Sequence, residues 1–301
     1  MTIRMTSNMM SSTLLGNLNR NMYNMDSLEN QISSGRKISK PSDDPVGVTY
    51  ALRYRSQLAG NEQFQRSTDS AQSWLDETDS QMGSASDVMT RLKELMVQAS
   101  TGTYSDTDMQ AAANEVEQLK KQLVDIGNSK FGGKFIFNGQ DYGSIPYPVA
   151  DGTDYSQIDT DNSAVKYVIG ENIQFQINTT GNEFFGMKGE SDNVFAVMDR
   201  VITAMKTGQK GDITNEMGGL ETRTTKMLAA RSEVGARTNR VELVNSRLLD
   251  QETNTTTLLS KTEDLDVAEA VIKATSAQTV YQAALKSSAN IMSTSLIDFM
   301  R

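Results

Sequence analysis

The sequence predicts a mainly α protein with a β-rich insertion, arranged as an elongated helical bundle or coiled coil built from both chain ends. Long stretches with apolar residues at helical spacing flank a central segment in which aromatic and β-branched residues surround glycine-rich turns. All four prolines lie at breaks between predicted elements. Hydrophobic residues make up 37% and aromatic residues 6% of the 301 residues, which favours thin packing over a thick globular core.

The first predicted helix covers residues 7–33. Its apolar residues alternate at spacings of three and four, which is typical of a coiled-coil seam, and Asn21 fills one seam position. The apolar members of this seam are Leu14, Leu18, Met25, Leu28 and Ile32.

The segment ISSGRKISKPSDDPVG, residues 32–47, predicts a joint between two helices rather than a ligand loop. It contains two glycines and two prolines, which interrupt helices. Asp44 is a suitable N-cap for a second helix that begins at Pro45, because the missing N–H of proline costs nothing at the first helical position. We expect an irregularity in this second helix near Gly60.

A third helix is predicted after a break at residues 101–108, with Ser105 as its cap. Beyond it, residues 131–139 and 166–178 are rich in aromatic and β-branched residues and predict hairpins. The expected tip of the second hairpin is Gly170, Glu171 and Asn172. A further helix is predicted to begin after Asp192, which is its expected cap.

The clearest periodic signal lies between residues 213 and 248, where apolar residues recur every seven positions. About 36 residues at roughly 1.5 Å each predict a rod of about 54 Å. The companion positions include polar Thr224, Arg231 and Asn245, so the apolar face is narrow and should pack on neighbouring helices. The heptad residues are Ile213, Leu220, Met227, Val234, Val241 and Leu248.

A last helix is predicted from Leu265 onward. Like the first helix, it is only weakly amphipathic and is rich in Met, Asn, Ser and Thr. Its predicted seam residues are Val267, Val271, Ala274, Tyr281, Leu285, Met292 and Phe299.

Both terminal helices are expected to be conditionally ordered. Ordering a long helix costs conformational entropy, and packing on one partner helix buries barely half of the apolar side chains of the first helix. We therefore expect the two ends to become ordered when several helices surround them, most simply in a polymer. The alternative is an ordinary coiled coil within one chain.

The composition argues against most other classes of function. The chain has no Cys and no His, which removes thiol nucleophiles, zinc sites of the usual kind and imidazole catalysis. A formal net charge of −9 opposes nucleic-acid binding. There is no apolar run long enough to span a membrane and no pattern of a cleavable signal peptide. We expect no enzymatic activity, no cofactor and no metal.

Three sequence features that suggest chemistry are better explained without it. An EF-hand-type calcium loop that starts at Asp159 would place Ala164 at the turn glycine and Gly170 at the bidentate glutamate, so the match fails. The segment GNSKFGGK, residues 127–134, is one residue too long for a phosphate loop. The carboxylate pairs Asp43–Asp44 and Glu263–Asp264 lack an apolar pocket, so capping and solvation explain them better.

Several motifs in their order along the chain resemble bacterial flagellin-type axial proteins. They are ISSGRKISKPSDDPVG after the amphipathic start, AQSWLDETDS, GTYSDTDMQ, NSKFGGKFIFNG, ARSEVGARTNRVE in the long helix, and QAALKSSANIMSTSLIDFMR at the C-terminal end. The form KPSDDPVG is more similar to the hook–filament junction branch of that family than to the filament subunits. Residues of about 141–190 match only loosely.

The resemblance implies three domains: an inner coiled-coil domain of terminal helices (1–40 and 265–301), a helical-bundle domain (41–135 and 190–264), and a β-rich outer insertion (136–189). It implies a hinge between the inner and bundle domains. The hinge residues would be Gly35, Pro41, Asp44 and Pro45.

The resemblance also implies how the chain acts. Members of the family are exported unfolded through the flagellar type III apparatus without a cleavable signal and assemble by packing their terminal helices outside the cell. The expected partners are further copies in a ring, another hook-associated protein, flagellin and an export chaperone, with no nucleic acid and no membrane insertion. The expected assembly seam is Leu14, Leu18, Met25, Leu28, Ile32, Val271, Leu285 and Met292.

Two alternatives remain at this point. One is a filament flagellin, which would polymerise into long filaments by itself. The other is a secreted coiled-coil effector whose Met-rich amphipathic helices bind membranes.

Overall fold

The computed structural model describes residues 7–101, 104–150 and 152–299. The chain divides into two compact units, which we name the terminal unit and the central unit. The terminal unit contains the described residues up to Gly60 and from Gln251 onward, and the central unit is Asn61–Asp250. The three-part division stays a prediction.

The described part of the chain is mainly α, with two small antiparallel hairpins and one short 3-10 turn, which confirms the predicted fold class. The helices are α1 (Ser7–Ser34), α2 (Pro45–Ser100), α3 (Asp106–Gly127), α4 (Gly181–Phe185), α5 (Val194–Thr207), α6 (Lys210–Glu263) and α7 (Val267–Phe299). The strands are β1 (Lys130–Phe131), β2 (Lys134–Phe135), β3 (Lys166–Gly170) and β4 (Ile173–Gln176).

The predicted start of α2 is confirmed, and the predicted irregularity inside it is wrong. The Asp44 carboxylate accepts hydrogen bonds from the backbone N–H groups of Val46 and Gly47 at 3.1 and 2.9 Å, which is the geometry of an N-cap. The helix then runs through Gly60 without interruption. One glycine lowers helix stability by only about 1 kcal/mol, and α2 continues for about eleven turns beyond it, so the rest of the helix compensates for this cost.

The caps of α3 and α5 give one confirmed prediction and one correction. Ser105 and Asp108 form a reciprocal capping box at the start of α3, as predicted. At α5 the predicted cap, Asp192, is wrong: the side chain of Asn193 caps the helix by accepting from Phe195 N and Ala196 N. Asp192 instead pairs with Arg223 on α6, because a carboxylate gains more from a buried guanidinium than from a helix end.

The core of the central unit lies between α2, α3, α5 and α6. The six predicted heptad residues of α6 are all buried, which confirms the long seven-residue repeat. They meet buried residues from the other three helices in one continuous apolar cluster. Its largest fully buried side chains on α2 and α3 are Leu75, Met82, Met89, Leu92, Met96, Met109 and Leu123.

The hairpins form next to a cluster of aromatic rings. In the second hairpin Tyr167 pairs with Phe175, and Asn172 at the tip has a positive φ of 61°, as its predicted turn position requires. Gly170 is the last residue of β3. The ring centroids of Phe137, Tyr147, Phe184, Phe185 and Phe195 lie 5.0–5.7 Å apart in successive contacts, so aromatic packing rather than an extended sheet stabilises this region.

Candidate functional site

The first and last helices pair with each other inside the terminal unit. Residues 35–37, which follow α1, run antiparallel to residues 263–265, which precede α7. The N–H of Lys37 donates to the carbonyl of Glu263 at 2.7 Å, and the N–H of Leu265 donates to the carbonyl of Gly35 at 3.1 Å. From this bridge α1 and α7 pack against each other in antiparallel directions.

On α1, the predicted seam is the face that packs within the chain. Each of its members is half-buried, whereas most residues between them are exposed. The same spacing includes Asn21, a polar residue at a seam position. This half-buried face consists of Leu14, Leu18, Asn21, Met25, Leu28 and Ile32.

On α7, the face that packs within the chain consists mainly of small residues. Alanine and serine side chains remove little apolar area from water but allow two helices to approach closely. The sequence pattern predicted Ala274 and Tyr281 as seam residues, but it otherwise favoured Val and Leu, which are more hydrophobic than Ala. Its members, which are buried or half-buried, are Ala270, Ala274, Ala277, Tyr281, Ala284 and Ser288.

The larger predicted seam residues of α7, Val271 and Leu285, lie beside this small-residue face. Val271 lines a groove between the two helices together with Met25 and Ile32. Val271 remains 45% exposed, and Leu285 is 43% exposed. Met292 lies in α7, but its side chain is outside the described part of the structure. The structure thus brings three of the predicted seam residues together at one groove, and the role of the whole set in assembly stays a prediction.

The paired helices leave many large apolar side chains uncovered. An intramolecular pair of helices can bury only one face of each, so apolar residues on the remaining faces contact water. On soluble proteins, exposed apolar side chains clustered in this way mark interaction surfaces. Among the described residues, the large apolar side chains of α1 and α7 that are at least 43% exposed are Met9, Leu15, Met22, Tyr23, Val267, Val271, Ile272, Val280 and Leu285.

The predicted hinge residues form a tight, hydrogen-bonded connection. Gly35 adopts a left-handed conformation with φ of 67°, which side chains other than glycine rarely accept. Pro41 lies exposed in the turn before the Asp44 cap. The Asp43 carboxylate closes this turn by accepting from the N–H groups of Ser39 and Lys40 at 3.2 and 2.9 Å. Whether Gly35, Pro41, Asp44 and Pro45 act as a hinge stays a prediction.

Glu263 departs most clearly from the expectation of a solvated carboxylate. Its side chain is only 5% exposed, and Oε1 lies 2.7 Å from Arg36 Nε and in contact with Arg55 Nη2. Sequence reasoning missed this site because the two arginines are 227 and 208 residues away, so no local pattern connects them to Glu263. Asp44, by contrast, caps the N-terminus of α2 as the sequence predicts.

Charge is distributed unequally along the chain. Residues 1–60 and 251–301 together contain eleven basic and ten acidic residues, whereas residues 61–250 contain 18 basic and 28 acidic residues. The terminal unit is therefore close to neutral. Identical copies of it can approach one another with little electrostatic repulsion, while the acidic central unit favours contact with water.

Two models of protein families match the chain. One describes the bacterial flagellin N-terminal helical region and matches residues 5–141. The other describes the bacterial flagellin C-terminal helical region and matches residues 217–300. Together they cover most of the chain, and they include all of α1, α2, α3 and α7 and most of α6. The chain belongs to the flagellin family.

Within the flagellin family, the chain is similar to hook-associated and filament proteins alike. It is 25% identical to flagellar hook-associated protein 3 of Escherichia coli over 90% of this chain and 91% of the relative. It is also 25% identical to a filament core protein of Treponema maltophilum over 90% of each chain. The crystal structure of hook-associated protein 3 from Legionella pneumophila superposes with a TM-score of 0.61 at 14% identity, over 70% of this chain and 98% of that one. These matches show the same fold.

Residues 142–216, which neither family model matches, contain the second hairpin, α4 and α5. This is also where the sequence resemblance was weakest. Acidic residues there act as local caps: Asp154 accepts from Ser156 N at 3.0 Å, and Asp161 accepts from Gln140 N at 2.7 Å. Among the side chains that the structure describes, no cluster of three or more metal-ligating residues could hold a metal ion.

None of the helices in the described ranges combines the length and apolar composition that crossing a bilayer requires.

Proposed function

We propose that this member of the flagellin family is a structural subunit of the bacterial flagellum that joins the hook to the filament. The observation that carries the proposal is similarity along almost the whole chain to hook-associated protein 3, from E. coli and also from Salmonella typhimurium, where the alignment spans 99% of this chain and 100% of the relative. A likeness that includes the central unit as well as the helical ends supports a role for the whole chain.

The proposed mechanism is assembly through the terminal unit. The paired helices expose apolar side chains that one chain cannot cover, and neighbouring copies would cover them. Contacts of this kind between successive subunits of a tube are heterologous, so each subunit presents different surfaces to the neighbours above, below and beside it. Leu14, Leu18, Met25, Leu28, Ile32, Val271, Leu285 and Met292 are the proposed seam residues.

The proposal includes partners and a location. The chain would form a ring of identical copies between another hook-associated protein and flagellin, outside the cell. It would reach this place unfolded, through the flagellar type III apparatus and with an export chaperone, without a cleavable signal peptide. It would need no catalytic chemistry and no cofactor, because packing alone performs the task.

A gene deletion tests the proposal. We expect a strain that lacks this gene to build hooks without attached filaments and to release flagellin into the medium, because the filament has no adaptor to grow on. Expression of the intact chain should restore attachment, and a tagged chain should localise to the hook–filament boundary. Filaments of normal length and attachment in the deletion strain would contradict the proposed function.

The flagellin alternative has its own test. A filament subunit polymerises into long filaments after seeding, whereas a junction subunit adds a limited number of copies. We expect seeded, purified protein to remain in the supernatant after sedimentation. Liposome binding by the protein in the absence of any assembly would favour the membrane-active alternative instead.

A further inference from the structure

We infer that Glu263 couples the two connections of the terminal unit, residues 35–37 after α1 and residues 263–265 before α7, into a single pivot. The two helices α1 and α7 would then move together as one arm. The inference rests on the proposed function, because it concerns how the terminal helices are positioned for assembly. It differs from a simple hinge at Gly35, in which the connection after α1 would move independently of the connection before α7.

The first observation is that the two connections form a short β-bridge. Arg36 is paired antiparallel with Asp264, and the hydrogen bonds flank this pair on both sides. The Gln31 side chain adds a third link by donating from Nε2 to the carbonyl of Lys37 at 3.1 Å. A segment tied in this way cannot rotate about Gly35 without breaking contacts to the other connection.

The second observation is the burial of Glu263 between two arginines. Arg36 follows α1, Arg55 lies on α2, and Glu263 is the last residue of α6, so this one carboxylate links the end of α6 to two other segments. A buried charge that loses its partners is strongly unfavourable, which makes this contact hard to open. Arg36 and Arg55 remain 53% and 42% exposed, so the carboxylate is the enclosed member of the cluster.

The third observation is that the rest of the joint is packed against α2. Ile38 is buried, and Gly47 lies so close that a Cβ there would be 2.5 Å from Ile38 Cδ1. The Asp44 cap lies on the same side of Gly47, 2.4 Å from that position. Ile38 and Asp44 thus hold the chain between the bridge and α2 in place, and the bridge becomes the point about which the arm turns.

The test uses the absence of cysteine from the natural sequence. Arg36 and Asp264 occupy a non-hydrogen-bonded antiparallel pair, whose Cα separation of about 4.5 Å suits a disulfide. The variant R36C/D264C keeps the contact of Glu263 with Arg55, so we expect it to assemble into flagella and, when oxidised there, to form an intramolecular disulfide without loss of assembled protein. The pair R36C/T257C, with its second cysteine seven residues earlier on α6, is the matched control and should not cross-link.

A second variant tests the carboxylate itself. Glu263→Gln should reduce incorporation into flagella by about ten- to hundredfold, the range expected when hydrogen bonds to a charged group are lost. Glu242→Gln, at an exposed position of the same helix, should incorporate like the intact chain. In the triple variant E263Q/R36C/D264C, oxidation should restore incorporation, because the disulfide replaces the ionic link between the two connections.

The outcomes separate this inference from the proposed function. Unchanged incorporation of Glu263→Gln, or failure of the assembled R36C/D264C variant to cross-link, would overturn the coupled pivot. If the intact chain does not incorporate at the hook–filament boundary, the proposed function itself fails. Buried Trp74 reports on folding of the central unit, so its fluorescence shows whether the central unit of a variant that fails to incorporate is folded.

Discussion

Replacement of Arg223 by glutamine should destabilise the central unit more than any single surface change. The Arg223 side chain is 2% exposed, and its Nη2 lies 2.7 Å from Glu190 Oε2 and 3.1 Å from Asp192 Oδ1. Its Nε donates to the carbonyl of Asp192 at 2.9 Å. Glutamine is neutral and shorter, so it leaves Asp192 partly buried without its guanidinium.

The expected size of this effect follows from the burial of the pair. Removal of one partner from a buried ion pair costs about 3–5 kcal/mol. For a unit of this size, each kcal/mol lowers Tm by about 2–4 °C, so the expected decrease is roughly 6–20 °C. Arg66→Gln is the matched control: Arg66 Nη1 lies 2.8 Å from Glu62 Oε1, but both side chains are more than half exposed. A solvent-exposed pair contributes about 0–1 kcal/mol, so this variant should unfold close to the intact chain.

The assay is thermal or urea unfolding of the full chain, followed by tryptophan fluorescence. Trp74 is the single tryptophan in the sequence, and it is buried in the core of the central unit. Its signal therefore reports on that unit without a contribution from the terminal helices. An Arg223→Gln variant within 1 kcal/mol of the intact chain, or an Arg66→Gln variant that is equally destabilised, would refute the reasoning.

Three further predictions follow from the same structure. The hydrogen bond from Lys226, with others from the Met187 N–H and Arg223, lowers the pKa of Glu190 from 4.5 to about 2. Its contribution to stability is therefore complete above pH 4.5 and is lost as the pH falls toward 2, and acid titration of Trp74 fluorescence should show a smaller loss over this range in Glu190→Gln. Leu28→Asp should block incorporation at the junction while the central unit stays folded, whereas Asn24→Asp, which adds the same charge at an exposed position, should incorporate; normal motility of the Leu28→Asp strain would contradict the seam. Gly218→Ala should stabilise the central unit by about 0.5–1 kcal/mol, because no atom lies within 4 Å of the added Cβ on α6. Gly139→Ala should destabilise the unit by more than 1 kcal/mol, because the residue has a φ of 53° and its Cβ would lie 2.4 Å from the Asp161 carbonyl oxygen. Urea unfolding measures both changes, and equal effects on the free energy of unfolding would contradict the argument from the space around each glycine.

The features that sequence predicted correctly are local ones. The heptad on α6, the Asp44 and Ser105 caps and the tip at Asn172 each depend on residues within a few turns of one another, so spacing and side-chain chemistry are sufficient to predict them. Gly60 was expected to disturb α2, but its small local cost is overcome by the many hydrogen bonds of a long helix.

The features that sequence missed depend on distant partners. Most of the small-residue face of α7 can be recognised only from the side chains of α1 that pack on it, although the apolar spacing predicted Ala274 and Tyr281. Glu263 and Asp192 were assigned to solvation and capping because their partners Arg55 and Arg223 lie far away in sequence. A buried ion pair needs both partners in place, so neither member reveals it by itself.

Hydrogen exchange on the full chain, free and assembled, tests most directly the claim that neighbouring subunits order the terminal helices. In dilute monomer we predict fast amide exchange up to about Ile38 and beyond about Leu265, with slow exchange in the central unit. After incorporation into flagella, the same terminal amides should become protected. Slow exchange of both terminal helices in the dilute monomer would contradict the account, because α1 and α7 would then be stable as a pair without any neighbour.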